Sequence, residues 1–155
     1  MYTLTVSKIM RGTVIDHIPA GRGIDVLRVL GITGREGYRI AVLMNVESKK
    51  LGRKDIVKIE NRFLEPHEVN IIALIAPNAT INIVENYEVK RKYRAEIPQE
   101  IEGLLRCPNP TCITRQSREP ITSRFRRIST NPLRLQCVYC GTIVEEKEIP
   151  EYLGV

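Results

Sequence analysis

All four cysteines of this chain lie in its last third, as Cys107-x4-Cys112 and Cys137-x2-Cys140, with 24 residues between the pairs. Each close pair can turn two thiolates toward one centre, so the four together suit a tetrahedral metal. Cys137-Val138-Tyr139-Cys140 is followed by Gly141, the residue a tight knuckle uses to aim backbone amides at sulfur. Cys107-Pro108-Asn109-Pro110-Thr111-Cys112 is a longer turn stiffened by its prolines. Four thiolates select zinc most readily, and a closed all-cysteine set is structural, with no open position for water. Two disulfides are the alternative, disfavoured because no export signal accompanies them. A redox C-x-x-C normally opens a helix in a thioredoxin-like context, which this sequence lacks. An iron–sulfur cluster is less usual at this spacing. Cys107, Cys112, Cys137 and Cys140 are therefore expected to hold one structural zinc ion per chain. A segment of roughly 50 residues makes a marginal core, so the metal is expected to supply much of its folding energy.

The preceding hundred residues contain no cysteine and alternate between strand and helix patterns. Tyr2 to Ile9 sets Leu4, Val6 and Lys8 on one face and Thr5, Ser7 and Ile9 on the other, as a half-buried strand would. Gly12 bends the chain, Thr13 to Ile18 is β-branched strand material, and Pro19 ends it because proline cannot donate to a ladder. Gly23 to Leu30 and Glu68 to Ala76 have helical spacing, closed by Gly31 and by Pro77-Asn78. Arg39 to Val46 and Asp55 to Glu60 read as strands around the turn Glu47-Ser48-Lys49-Lys50; Ala79 to Val84 and Tyr87 to Arg94 read as the last pair, around Glu85-Asn86. The order, close to β-α-β-β-α-β, predicts an α+β fold: a ferredoxin-like antiparallel sheet with two helices. Residues 95–106 form an acidic connector with Pro98 and Gly103. Beyond it, Arg124 to Ile128, Leu133 to Gln136 and Thr142 to Ile149 predict a small antiparallel β zinc-ribbon-like domain. The expected division is 1–97 and 98–155.

The net charge of +6 and pI of about 9.3 are modest and spread along the chain. They suit phosphate-bearing ligands or an acidic partner surface. No apolar run approaches the roughly 20 residues needed to span a bilayer, and no apolar block follows Lys8 and Arg11. A cytoplasmic location is expected, without a membrane partner. Seven arginines and no lysine fall between Arg106 and Arg134, a cluster suggesting a specific contact surface. A nucleic-acid-binding ribbon would need stacking aromatics beside those arginines. The segment offers only Phe125, Tyr139 and Tyr152, and no nucleic-acid partner is expected. An enzyme is weaker still as a reading: the two histidines lie outside the cysteine segment, and a closed metal site leaves no free thiol nucleophile.

Three stretches carry a more specific signal. Arg11-Gly12-Thr13-Val14-Ile15-Asp16-His17-Ile18-Pro19-Ala20, Gly52-Arg53-Lys54-Asp55-Ile56-Val57-Lys58-Ile59-Glu60-Asn61 and Asn86-Tyr87-Glu88-Val89 resemble the signature segments of aspartate carbamoyltransferase regulatory chains. The cysteine spacing matches that family as well, and the resemblance runs from near residue 2 to near residue 149.

The resemblance implies a non-catalytic subunit of pyrimidine biosynthesis that dimerises through its N-terminal domain. Its zinc domain would attach to catalytic trimers, with three regulatory dimers bridging two trimers in a dodecamer. CTP and ATP, with UTP as a further candidate, would bind the N-terminal domain and shift the assembly between low- and high-affinity states. Matching positions assign the ligand contacts. Lys58 and Lys92 would meet triphosphate and ribose oxygens as flexible point charges, Asp16 would accept from ribose hydroxyls, and His17 would reach a phosphate. Backbone groups of Ile9, Tyr87 and Val89 would read the base edge, and Val6, Asn82 and Val84 complete the set. Main-chain reading would admit a purine or a pyrimidine. Ser7-Lys8 replaces residues that are acidic in some family members, so its positive side chain would strengthen triphosphate binding or alter effector preference. Gly52-Arg53-Lys54 lacks Walker spacing, so no nucleotide hydrolysis is expected.

Overall fold

A computed structural model describes residues 8–118 and 120–153. The chain forms two compact units, 1–96 and 97–155. In the first, β1 (Gly12–Pro19) lies at the centre of a five-stranded antiparallel sheet. It is flanked by β3 (Gly52–Glu60) and β4 (Thr80–Glu85), with β2 (Ile40–Ser48) and β5 (Glu88–Arg94) at the edges. Helices α1 (Gly23–Val29) and α2 (Pro66–Ile75) pack on each other, and Arg22 Nη1 donates to the Ile75 carbonyl at 2.7 Å. This is the ferredoxin-like arrangement, with β5 added at one edge.

Register makes the two faces of the sheet chemically different. Ile15 pairs with Val57 and Ile81, and Thr13 with Ile59 and Ile83; all six are buried and form the core face. Side chains alternate along a strand, so the intervening row, Lys58–Val14–Asn82–Lys92 across four strands, belongs to the opposite face. Ile18 also belongs to the core, although three residues from Ile15 would put it on the wrong side of a regular strand. A bulge between Ile15 and Ile18 corrects this, and His17 within it has φ 59°.

Asp55 is fully buried. Its Oδ2 accepts from the Gly21 and Gly23 amides at 2.9 and 2.8 Å, and its Oδ1 from the Asn45 amide at 2.9 Å. One carboxylate thereby fixes the approach to α1 and the second bulge, in β2 between Leu43 and Val46. Gly12 is obligatory for a different reason: a Cβ there would sit 2.1 Å from the Ile59 carbonyl oxygen, at φ +140°.

In the second unit β6 (Glu100–Glu102), β7 (Arg124–Thr130), β8 (Leu133–Cys137) and β9 (Ile143–Glu145) form an antiparallel meander. Phe125, Leu133, Leu135, Val144 and Ile149 are fully buried within it. Among the described residues no helix is long and apolar enough to cross a membrane.

Several boundaries differ from expectation. The Tyr2–Ile9 strand falls mostly outside the described residues; Lys8 and Ile9 carry no regular structure. The second helix begins two residues earlier than its periodicity suggested, because Pro66 occupies its first turn and Glu65 and Glu68 form a capping box. The hairpin joining β4 and β5 turns on Asn86 and Tyr87, both at positive φ, one residue later than expected. Glu100–Glu102, expected in a connector, pairs with β7. The third ribbon strand stops at Glu145, and a 3-10 segment with Pro150 inside it follows to Tyr152.

Candidate functional site

The open face of the first sheet carries a cavity of about 490 Å³. Its floor is the row Lys58, Val14, Asn82 and Lys92; Asp16, His17 and Thr80 lie toward one end, and Lys8, Ile9, Val84, Tyr87, Glu88 and Val89 complete the lining. Of the ten positions singled out from the sequence, nine (Ile9, Asp16, His17, Lys58, Asn82, Val84, Tyr87, Val89 and Lys92) line this one cavity. Val6 is outside the described residues.

Val14, Thr80 and Glu88 were missed. Strand alternation alone reaches the first two: Val14 lies two residues before Asp16, and Thr80 two before Asn82. Glu88 adjoins two assigned residues but offers a charge of the wrong sign for a phosphate.

Polar groups in the cavity are held in place before any ligand arrives. Asp16 Oδ1 accepts from the His17 amide at 2.6 Å and meets Lys54 Nζ at 3.0 Å. The His17 ring and the Thr80 hydroxyl share a hydrogen bond through Nδ1 at 3.1 Å. Asn82 Nδ2 donates to the Val14 carbonyl at 3.3 Å. Tyr87 is exposed, yet its backbone is fixed by an amide bond to the Met10 carbonyl at 2.9 Å. A second cavity, also about 490 Å³, shares His17, Thr80 and Lys92 and adds Lys50 and Arg94.

The other chemical centre is in the second unit. The four cysteine sulfurs all lie within 4.8 Å of one another, with Cys107–Cys140 at 3.5 Å and Cys112–Cys137 at 3.7 Å. A tetrahedral zinc–thiolate site, with bonds of about 2.3 Å, requires sulfurs about 3.8 Å apart, so the donor set fits the ion. Cys107, Cys112 and Cys137 are buried and Cys140 is exposed. Burial pushes the Cys107 and Cys137 thiols up, and crowding by neighbouring sulfurs adds to it. Burial acts in the same direction on Cys140, but hydrogen bonding with the side chain and backbone of Thr142 and with the Asn109 side chain overcomes it and brings that thiol down to about 6. Three buried thiols brought together in this way are what a bound cation would stabilise as thiolates.

Several members of the arginine cluster make internal contacts. Arg124 pairs with Glu100 and Glu102, each at 3.2 Å, and Arg134 with Glu145 at 3.2 Å. Arg127 donates to the Ile97 carbonyl and to Gln99, and Arg115 to the Cys107 carbonyl. Beside the cysteines, Ile113, Val138 and Tyr139 are the exposed apolar residues.

A ferredoxin-like sheet with a cationic cavity, followed by a ribbon with a four-thiolate centre, defines a two-domain α+β protein with a structural metal site. Comparison with known proteins narrows this further. Residues 4–96 match the aspartate carbamoyltransferase regulatory chain allosteric domain, and residues 99–150 match the metal binding domain of the same chain. The chain is 64% identical over 151 residues to the aspartate carbamoyltransferase regulatory chain of Hyperthermus butylicus, covering 97% of this chain and 94% of that one. It is 59% identical to that of Staphylothermus marinus (97% and 92% covered) and 60% identical to that of Thermofilum pendens (97% and 94% covered). The chain belongs to the aspartate carbamoyltransferase regulatory chain family. It is a non-catalytic chain of pyrimidine biosynthesis with an allosteric and a metal-binding domain.

Proposed function

We propose that the cavity over Lys58, Val14, Asn82 and Lys92 is the effector site, that it takes CTP and ATP competitively, and that UTP is a further ligand. The observation carrying this reading is the register: one row of alternate residues gathers two lysines from different strands on the face away from the core. Phosphates need cations that are not already neutralised, and the two carboxylates lining the cavity, Asp16 and Glu88, are paired with Lys54 and Lys90 instead. Asp16 accepts ribose hydroxyls through its free lone pairs, and His17 reaches a phosphate with the nitrogen not engaged by Thr80. Backbone groups of Ile9, Tyr87 and Val89 read the base. Val84 gives the base an apolar neighbour, and Lys8 adds charge at the rim.

The four cysteines hold zinc, which stabilises the ribbon and supplies no catalysis. The exposed Ile113, Val138 and Tyr139 beside it form the face that meets the catalytic chain. The chain dimerises through its first domain, and three such dimers join two catalytic trimers in the cytoplasm. Effector binding is coupled to the catalytic partner by about 1–3 kcal/mol.

Two measurements test this. In size-exclusion chromatography with a catalytic trimer of the family, a large complex is expected only when the chain retains zinc; none in either state overturns the assembly. In calorimetric titration, ATP is expected to displace CTP; independent, non-competing isotherms overturn the single site.

A further inference from the structure

Both cysteine pairs end in the same way. The second cysteine of each is followed two residues later by threonine, as Cys112-Ile113-Thr114 and Cys140-Gly141-Thr142. In both, the threonine Oγ1 stands 3.2 Å from that cysteine's Sγ; without a metal the Cys140 thiol donates to Thr142 Oγ1, whereas either atom can donate between Cys112 and Thr114. The backbone routes are unlike. Thr114 lies within the 3-10 turn Ile113–Arg115, whereas Thr142 follows Gly141 at φ 82° and immediately precedes β9. One turn type therefore does not account for both contacts.

Four thiolates around a divalent cation leave excess negative charge on sulfur. A metal-bound thiolate has no proton, so in each contact the hydroxyl must donate. Donation draws charge from the sulfur, which weakens it as a nucleophile and fixes the direction of its lone pairs. Exposure separates the two sites: Cys112 is buried, and Cys140 is the one exposed member of the set.

We propose that Thr114 and Thr142 are positioning residues of the metal centre, and that Thr142 shields the site against electrophiles and oxidants at Cys140. Thr142 quiets the sulfur that solvent reaches; Thr114 tunes the metal–sulfur bond of a sulfur that solvent does not reach. This rests on the reading of the four cysteines as a metal site.

The test uses the full chain, free of its catalytic partner, with Thr→Val and Thr→Ser at each position. Valine keeps the shape and removes the hydroxyl; Thr142→Ala is a second variant should valine perturb β9. With cobalt(II) in the site, Val at either position is expected to move the sulfur-to-cobalt charge-transfer band to lower energy, and Ser to restore it. With zinc in the site, iodoacetamide-driven metal release, followed with a chromogenic chelator, is expected to quicken roughly threefold to tenfold in Thr142→Val. Thr142→Ser should return to the parent rate, and Thr114→Val should leave the rate nearly unchanged. Unchanged bands and rates in both Val variants overturn the proposal. Equal acceleration by Thr114→Val and Thr142→Val also overturns it, since that is general loosening. A parent chain that gives no tetrahedral thiolate–cobalt spectrum removes the metal-site reading and this proposal with it.

Discussion

Lys54 Nζ stands 3.0 Å from Asp16 Oδ1, with both side chains about three-quarters buried or more. The pair bridges β3 to the bulge of β1 and holds the carboxylate at the end of the cavity. Because Asp16 also accepts from the His17 amide, its orientation is set from two sides, and any ligand finds it already placed. Lys54→Gln keeps the length of the side chain but removes the charge, leaving Asp16 to repel a polyphosphate. CTP affinity is expected to fall about threefold to tenfold, or roughly 0.7–1.4 kcal/mol, with the melting temperature little changed. Calorimetric titration beside a thermal scan separates the two effects.

Lys58 and Lys92 flank the same row from opposite sides of β1 and β4. Replacing either by Ala is expected to weaken ATP and CTP alike, by about tenfold each, since the proposed site has both lysines meet phosphate and ribose oxygens and leaves the base to the main chain. The affinity of the parent chain should fall with salt, and each variant should show a shallower dependence. A variant that lost only one of the two nucleotides would contradict base reading by the main chain.

Asp55 is the strongest candidate for a purely architectural carboxylate. Asp55→Ala strands the amides of Gly21, Gly23 and Asn45 in the interior, and each unsatisfied donor costs about 1–3 kcal/mol. A loss of about 3 kcal/mol or more is expected in urea unfolding of the first domain. The cysteine ribbon should be unaffected, as read by retained metal.

These residues also mark how far the sequence could be read. The lysine row follows from period-two alternation once Thr13–Ile18, Asp55–Glu60, Ala79–Val84 and Tyr87–Arg94 are taken as strands, and the cysteine centre follows from local spacing. The bulges at His17 and Asn45 do not follow, because nothing local distinguishes them from regular strand; they exist because Ile18 must join the core and because Asp55 captures the Asn45 amide. The pairing of the arginine cluster is hidden from the sequence for a related reason. Arg124 and Arg134 find Glu100, Glu102 and Glu145 only after β6, β7, β8 and β9 have paired, and a count of charges carries no pairing information. Glu100–Glu102 looked like connector because three residues are too few to display a period.

Metal removal should separate the two units. The ribbon core is small, with Phe125 and a few aliphatic residues around the cysteines, and the desolvation that raises Cys107 and Cys137 opposes keeping those sulfurs together as thiolates without a cation. The first unit has its own core, built on Ile15, Val57, Ile72 and Ile81, and contains no cysteine. Treatment with a strong chelator is therefore expected to unfold residues 97–155 while leaving 1–96 folded. Amide exchange should show protection lost from β7 and β8 and kept in β1 and β3. CTP binding should survive within about twofold, whereas the complex with the catalytic trimer should be lost. Restoring zinc should recover both the protection and the complex. If instead the nucleotide site and the ribbon lost structure together, the zinc centre would be supporting the whole chain, and the separation of sensing from attachment would have to be abandoned.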